Sequence, residues 1–341
     1  MTRENLLTGN KPRLEYMDAA KALAIAMVML GHAVEYVSTS DYHHPLWAFV
    51  YSFHMPLFMI ISGFFASSSL HQPLGRMLLK KGLQLVLPGM VWSVLAIGFI
   101  RFNVLNIFWF LSCLFICYAL AGLGMRIFRH SMTAAALFSM VVALAFVSVV
   151  YVPSMLPFFW AGIFLNRHKD RWLQAGTGVR LGLWAAFIIL LLFWSGDYTI
   201  YYCRLHTALY HGKIFLDPHE YACLLFRFAI GCTGSMAILL SLRRRYGMVG
   251  SKTRKRISQL GQATIGIYIL QSLCYSYLHD NMPRTGSDAL TFLLAPCLAT
   301  VLTLVCYGLY RLLSRNRLLD GLLFGGFRLK SRHPEKQEGL P

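Results

Sequence analysis

Runs of about 20 mostly apolar residues recur along the whole chain, separated by short stretches that carry most of the charge. A helix of that length crosses a ~30 Å hydrocarbon core. The runs lie at about 15–37, 46–69, 77–100, 108–128, 132–150, 152–166, 180–196, 220–242, 261–280 and 289–313. The pattern predicts an all-α polytopic membrane protein of about ten transmembrane helices. The sixth run is short and contains Pro153 and Pro157. Trp47, Trp92, Trp160 and Trp194 sit near run ends, where interfacial aromatics collect. The chain divides into a short N-terminal segment (1–14), a membrane domain (15–314) and a basic tail (315–341).

Composition excludes a soluble domain: 57% of the 341 residues are hydrophobic and only 13% are charged, against about 25% charged in soluble proteins. The net charge of +18 raises nucleic acid as a partner, but the bases are split among short loops and form no long basic face. No nucleic acid is expected. The loops fall into two sets, one with 26 Lys and Arg and the other with four (Arg101, Arg204, Lys213 and Arg284). The positive-inside rule then places both termini in the cytoplasm of a multi-pass protein of the cell inner (plasma) membrane. The first run carries Asp18, Lys21, His32 and Glu35, unlike a cleavable signal sequence. Seven of the eight cysteines lie within apolar runs and only Cys203 falls in a loop, so no disulfide framework is expected.

Ionisable groups inside a membrane are costly and tend to serve function. Lys21 and His32 are eleven residues apart, about 16 Å of helix rise, on nearly one face. Lys21 suits either an inner-surface snorkelling base or an anion contact; His32 suits either an interhelical hydrogen bond or catalysis. Gly31 beside it permits close approach of a neighbour or substrate. His54 lies in the outer half of the second run, so both imidazoles can share one outer cavity, where Pro56 opens the helix backbone. Two histidines with only Glu35 at comparable depth make a poor metal set, and no metal site is expected. Arg227 lies inside the eighth run, and Arg76, Lys80 and Lys81 at the inner end of the third suit either topology or phosphate binding. The outward loop 197–219 is rich in Tyr and His (Tyr198, Tyr201, Tyr202, His206, Tyr210, His211) and reads as an aromatic belt or a sugar-stacking surface. Leu318, Leu319, Leu322, Leu323 and Phe324 among the tail bases read as a segment lying on the inner leaflet.

Tyr16-Met-Asp18-Ala-Ala-Lys21, followed by Gly31-His32, resembles the first-helix signature of the acyltransferase 3 family, a base and a histidine separated by ten residues. His54-Met-Pro-Leu-Phe-Met-Ile-Ile-Ser62-Gly63-Phe64 is similar to its second-helix motif. Phe108-Trp109-Phe110-Leu111 and Thr264-Ile-Gly-Ile-Tyr268 resemble two later ones. The likeness spans about 14–315. It implies ten spans, an essential His32, and transfer of acetyl, or sometimes another acyl group, from acyl-CoA to carbohydrate. The implied acceptors are surface polysaccharides, lipid-linked sugars and glycosides. Two positions depart from the family: its third-helix Arg-x-x-Arg is Lys81-Gly-Leu-Gln84 here, and Gln271 stands where the late helix often has histidine.

The expected chemistry is acyl transfer with His32 as general base, since a hydroxyl is a poor nucleophile until a positioned group takes its proton; the alternative is His32 as a transient acyl carrier. Glu35, one helical turn on, orients the imidazole. Lys21, Lys80, Lys81 and Arg76 hold the donor phosphates, with His54 and Trp109 lining the cavity and Asp18, Arg227 and Tyr268 completing the substrate contacts. Acyl-CoA, most often acetyl-CoA, is a co-substrate, with no tightly bound cofactor expected. The partners are a carbohydrate acceptor and the bilayer. The rival from another class is a transporter or flippase for a sugar or lipid-linked glycan. Against it, proton-coupled carriers embed carboxylates mid-membrane, and Asp18 and Glu35 lie towards opposite ends of one run.

Overall fold

A computed structural model describes residues 14–96, 108–129, 131–146, 151–206, 209–210, 213–214 and 216–327. The N-terminal bases before Leu14, Arg101, His211 and the tail from Arg328 lie outside the described residues. Helices occupy the apolar runs. They are α1 (Glu15–Val37), α2 (Pro45–Tyr51), α3 (His54–Leu70), α4 (Leu74–Lys81), α5 (Leu87–Ala96), α6 (Trp109–Ile127), α7 (Met132–Phe146) and α8 (Val152–Arg167). There follow α9 (Lys169–Leu173), α10 (Thr177–Leu192), α11 (Pro218–Tyr246), α12 (Ser251–Gln262), α13 (Thr264–Asn281), α14 (Asp288–Leu313) and α15 (Arg317–Phe324). The only strands among the described residues are a two-residue antiparallel pair, Leu209–Tyr210 with Lys213–Ile214, in the Tyr-rich loop.

Six helical stretches among the described residues are long and apolar enough to cross a membrane: Glu15–Val37, Pro45–Leu70, Leu74–Leu95, Trp109–Ile127, Pro218–Tyr246 and Asp288–Leu313. The helices α7, α10 and the apolar part of α13 are shorter, as is α8. Charge distribution explains α12, whose Lys252, Arg254, Lys255 and Arg256 keep it out of the apolar set; it packs lengthwise on α1.

Helix α1 is central. It is largely buried and is contacted by α2, α3, α11, α12, α13 and α14. The second apolar run is not one helix. It breaks at Ser52–Phe53, because Pro56 has no N–H to return to the Ser52 carbonyl. The His54 ring fills part of the gap, with Nδ1 donating to the Val50 carbonyl at 2.7 Å. Below the break, α3 crosses α8 at very short range. A methyl group at Gly63 would strike the Phe159 carbonyl, and one at Gly162 the Ile60 carbonyl. Small residues that let helix backbones touch are the usual means of association in lipid, where apolar burial gives little drive.

The third run is broken too. Residues Gly82–Val86 form one π-helical turn between α4 and α5, a distortion often found at functional sites. The apolar patch of the tail lies in α15. It turns Leu323 and Phe324 inward against α5, with Trp92 Nε1 donating to the Leu323 carbonyl at 2.9 Å, and leaves Leu318 exposed.

Candidate active site

His32 and Glu35 are neighbours on one face of α1, as their three-residue spacing requires. Nδ1 of His32 donates to Glu35 Oε2 at 2.9 Å. The other carboxylate oxygen accepts from Trp47 Nε1 at 2.8 Å and from the Tyr51 hydroxyl at 3.0 Å. Three donors converge on one carboxylate, which only the ionised form can accept in full. Trp47 and Tyr51 are four residues apart on α2, so they share a face, and their rings stack at 3.8 Å between centroids. The Tyr51 ring reaches α1 because Gly31 has no side chain: a Cβ there would stand 2.8 Å from Tyr51 Cε2. Tyr201, from the loop 197–219, closes the cluster with its ring 5.7 Å from that of Tyr51.

The arrangement determines the imidazole's chemistry. With its Nδ1 proton held by a carboxylate, the basic nitrogen of His32 is Nε2, and the carboxylate stabilises the imidazolium formed when Nε2 takes a proton. The His32 side chain keeps 23% of its surface accessible, whereas that of Glu35 keeps only 7%. One group can meet a substrate; the other is locked in the protein.

Below this cluster lies a cavity of about 370 Å³ between α1, α3, α6, the π-helical turn and the α12–α13 junction. Asp18, Lys21, Lys81, Gln84 and Gln262 line it together with Tyr118 and Tyr268. Lys21 Nζ is 3.8 Å from Asp18 Oδ1, and Asp18 Oδ2 accepts from Ser258 Oγ at 3.0 Å. Lys81 Nζ donates to Gln84 Oε1 at 3.2 Å and lies over the Tyr118 ring at 4.2 Å. On the α1 wall the lining continues to Val28, one helical turn short of His32.

The sequence has relatives. A match to the acyltransferase 3 family, described as an acyltransferase domain, covers residues 14–311. The chain belongs to that family. Its curated relatives include Nodulation protein NolL of Mesorhizobium japonicum, 26% identical over 290 residues that cover 76% of this chain and 75% of the relative. Nodulation protein NolL of Sinorhizobium fredii is 25% identical over 292 residues, 76% of this chain and 77% of its own length. No solved structure matches. The protein is thus a multi-pass membrane acyltransferase.

Within this acyltransferase the expected site residues separate into groups. Asp18, Lys21, Lys81 and Tyr268 meet in the large cavity, while Arg76 and Lys80 are exposed on α4 and do not line it. His54 is 2% exposed and occupied with the Val50 carbonyl; its ring abuts Tyr51 edge-on at 4.6 Å, but it lines neither that cavity nor the smaller one beside it. Trp109 is half-buried against Phe110 and Tyr151. Arg227, 6% exposed, lines a second, small cavity with Tyr51 and Tyr201, and its Nη1 and Nη2 have no hydrogen-bond partner among the described residues. The two cavities share Met55.

Sequence reasoning missed Trp47 and Tyr51, which hold Glu35, and Gln84, Tyr118 and Gln262, which line the cavity. The i,i+4 aromatic pair just after the first connector was the available signal. Tyr118 and Gln262 carried none, and Gln84 only its place in the departed third-helix motif, because three separate segments deliver them.

Proposed function

We propose that this O-acyltransferase moves an acyl group, most often acetyl, from acyl-CoA to a hydroxyl of a surface polysaccharide, lipid-linked sugar or glycoside, in the inner membrane. The observation that carries this reading is the vertical order of the site: a cavity with two lysines at one end, and a carboxylate-oriented histidine one helical turn beyond the other. The lysines suit the phosphates of a nucleotide thioester, as point charges that need no fixed fork. An acyl-bearing arm along the cavity brings the thioester to the level of Val28 and Met55, within a turn of His32.

The acceptor hydroxyl then gives its proton to His32 Nε2 as its oxygen attacks the thioester carbonyl. The tetrahedral intermediate collapses with rupture of the C–S bond, and the imidazolium returns the proton to the departing CoA sulfur. Glu35 stays ionised throughout and holds the ring. Arg227 and Tyr201, on the other side of Tyr51, suit the acceptor. Following the basic loops, the donor end of the cavity faces the cytoplasm, with about ten crossings and both termini inside.

His32→Ala tests the reading. Acyl transfer from labelled acetyl-CoA should disappear, with membrane insertion and thermal stability close to wild type. Activity within about threefold of wild type, less than 1 kcal/mol of barrier, would remove His32 from the chemistry.

A further inference from the structure

Away from the His32 cluster, the loop that follows α10 meets the start of α11 through three side chains that none of the preceding chemistry uses. His219 and Cys223 are four residues apart and so share one face of the first turns of α11. Cys203 comes to them from the loop. The Cys203 and Cys223 sulfurs and a His219 ring nitrogen all lie within 4.8 Å of one another, and Cys223 Sγ is 3.8 Å from His219 Nε2. We infer that Cys203, His219 and Cys223 hold a zinc-type cation that clamps this loop to α11.

The donor set suits a soft, tetrahedral ion, because two thiolates neutralise its charge and an imidazole completes three positions. Bond lengths of about 2.3 Å to sulfur and 2.0 Å to nitrogen put ligand atoms roughly 3.5–3.8 Å apart at tetrahedral angles. The observed spacings need to close by no more than about 1 Å to reach that geometry. Both sulfurs are buried, Cys203 7% and Cys223 2% exposed, while His219 is exposed, so the fourth position faces solvent and suits a water. The helix start is already organised: the Asp217 carboxylate accepts from the His219 N–H at 2.8 Å, an N-cap that fixes where His219 begins. Glu220 does not compete for the ion, since it accepts from the His206 N–H at 2.8 Å and pairs with the His206 ring. Arg227, one turn beyond Cys223, donates Nε to the Cys223 carbonyl at 3.3 Å, and its positive charge complements two negative sulfurs. The clamp has a structural consequence: Tyr198 and Tyr201 lie a few residues before Cys203, so an ion there would hold in place the segment that closes over Tyr51.

The test uses the full-length protein in lipid nanodiscs, purified on a tag without histidine, with metal content measured by elemental analysis. Equimolar zinc is expected as purified or after zinc addition and removal of the excess. Cys203→Ser and Cys223→Ser should each lose it. His219→Ala, at an exposed position that leaves packing intact, should weaken zinc by more than the roughly 10–100-fold that loss of an outer partner costs. Cobalt in place of zinc should give a thiolate charge-transfer band that the cysteine variants lack. Zinc-free protein after zinc addition, zinc retained unchanged in all three variants, or a Cys203–Cys223 disulfide in a non-reducing peptide map would each overturn the proposal. None of these readouts depends on acyl transfer, so the clamp and the catalytic reading fail separately.

Discussion

Glu35→Gln isolates the role of the carboxylate, since it keeps the size of the side chain and removes its charge. Three donors surround Glu35: His32 Nδ1–H, Trp47 Nε1–H and the Tyr51 hydroxyl. An amide offers one acceptor oxygen and one donor NH₂, so it cannot satisfy both ends. If the oxygen faces His32, the Trp47 N–H is left buried without an acceptor, at a cost of about 1–3 kcal/mol, because an indole can only donate. If the oxygen faces Trp47, the amide NH₂ meets Nδ1, and the imidazole must place its proton on Nε2, where it cannot act as a base. The second arrangement wins by that same 1–3 kcal/mol, which leaves the productive tautomer at about 1–20% of the population. Losing the charge under the developing imidazolium costs about 1 kcal/mol more, the difference between charge-assisted and neutral hydrogen bonds. Together these lower kcat by about 10²-fold, within a range of roughly 30- to 10³-fold. The assay is transfer from labelled acetyl-CoA in nanodiscs, with Tm as a folding control. Trp47→Phe is the partner variant: in a Glu35→Gln background it removes the fixed donor, lets the amide oxygen face His32 and should restore about tenfold. A Glu35→Gln enzyme within threefold of wild-type kcat, or no rescue by Trp47→Phe, would refute the tautomer argument.

Three further outcomes follow from the same geometry. Lys21→Ala should raise the KM for acyl-CoA by about ten- to a hundredfold, the worth of one charge-assisted phosphate contact, and leave the KM for the acceptor little changed; an unchanged donor KM would reduce Lys21 to its ion pair with Asp18. Gly162→Ala should lower stability by about 1–3 kcal/mol, read as Tm in detergent, because the methyl group meets the Ile60 carbonyl and not a side chain that can rotate away; an unchanged Tm would show that the α3–α8 crossing relaxes freely. Transfer should be vectorial in proteoliposomes, with acyl-CoA supplied on the side of the basic loops and acceptor on the other; a requirement for both on one side would confine the reaction to a single face.

Much of this protein was legible from one dimension of sequence, because the bilayer imposes its rule locally. Every backbone polar group in hydrocarbon must be satisfied within its own segment, so each apolar run declares a helix without reference to any other. The same locality exposed His32 and Glu35: three residues on a helix is one turn, and their hydrogen bond needs only α1. The same periodicity puts Lys21 and His32 on nearly one face. The expected role of His54 as cavity lining rested on depth alone, and depth does not say which way a ring points. The structure turns it to the Val50 carbonyl, one turn back along the same run. Arg76, Lys80 and Lys81 looked equivalent in sequence. The π-helical turn at Gly82–Val86 and the packing of α6 carry Lys81 over Tyr118 and into the cavity and leave the other two outside. Trp47 and Tyr51 reach Glu35 only because the chain reverses at the first connector and Gly31 lets α2 approach α1. Cys203 and Cys223, read apart as a loop thiol and a buried hydrophobe, are adjacent only because the outer loop folds back on α11. Contacts between segments depend on where a chain of several hundred residues returns to itself, and no spacing rule within a single helix contains that information.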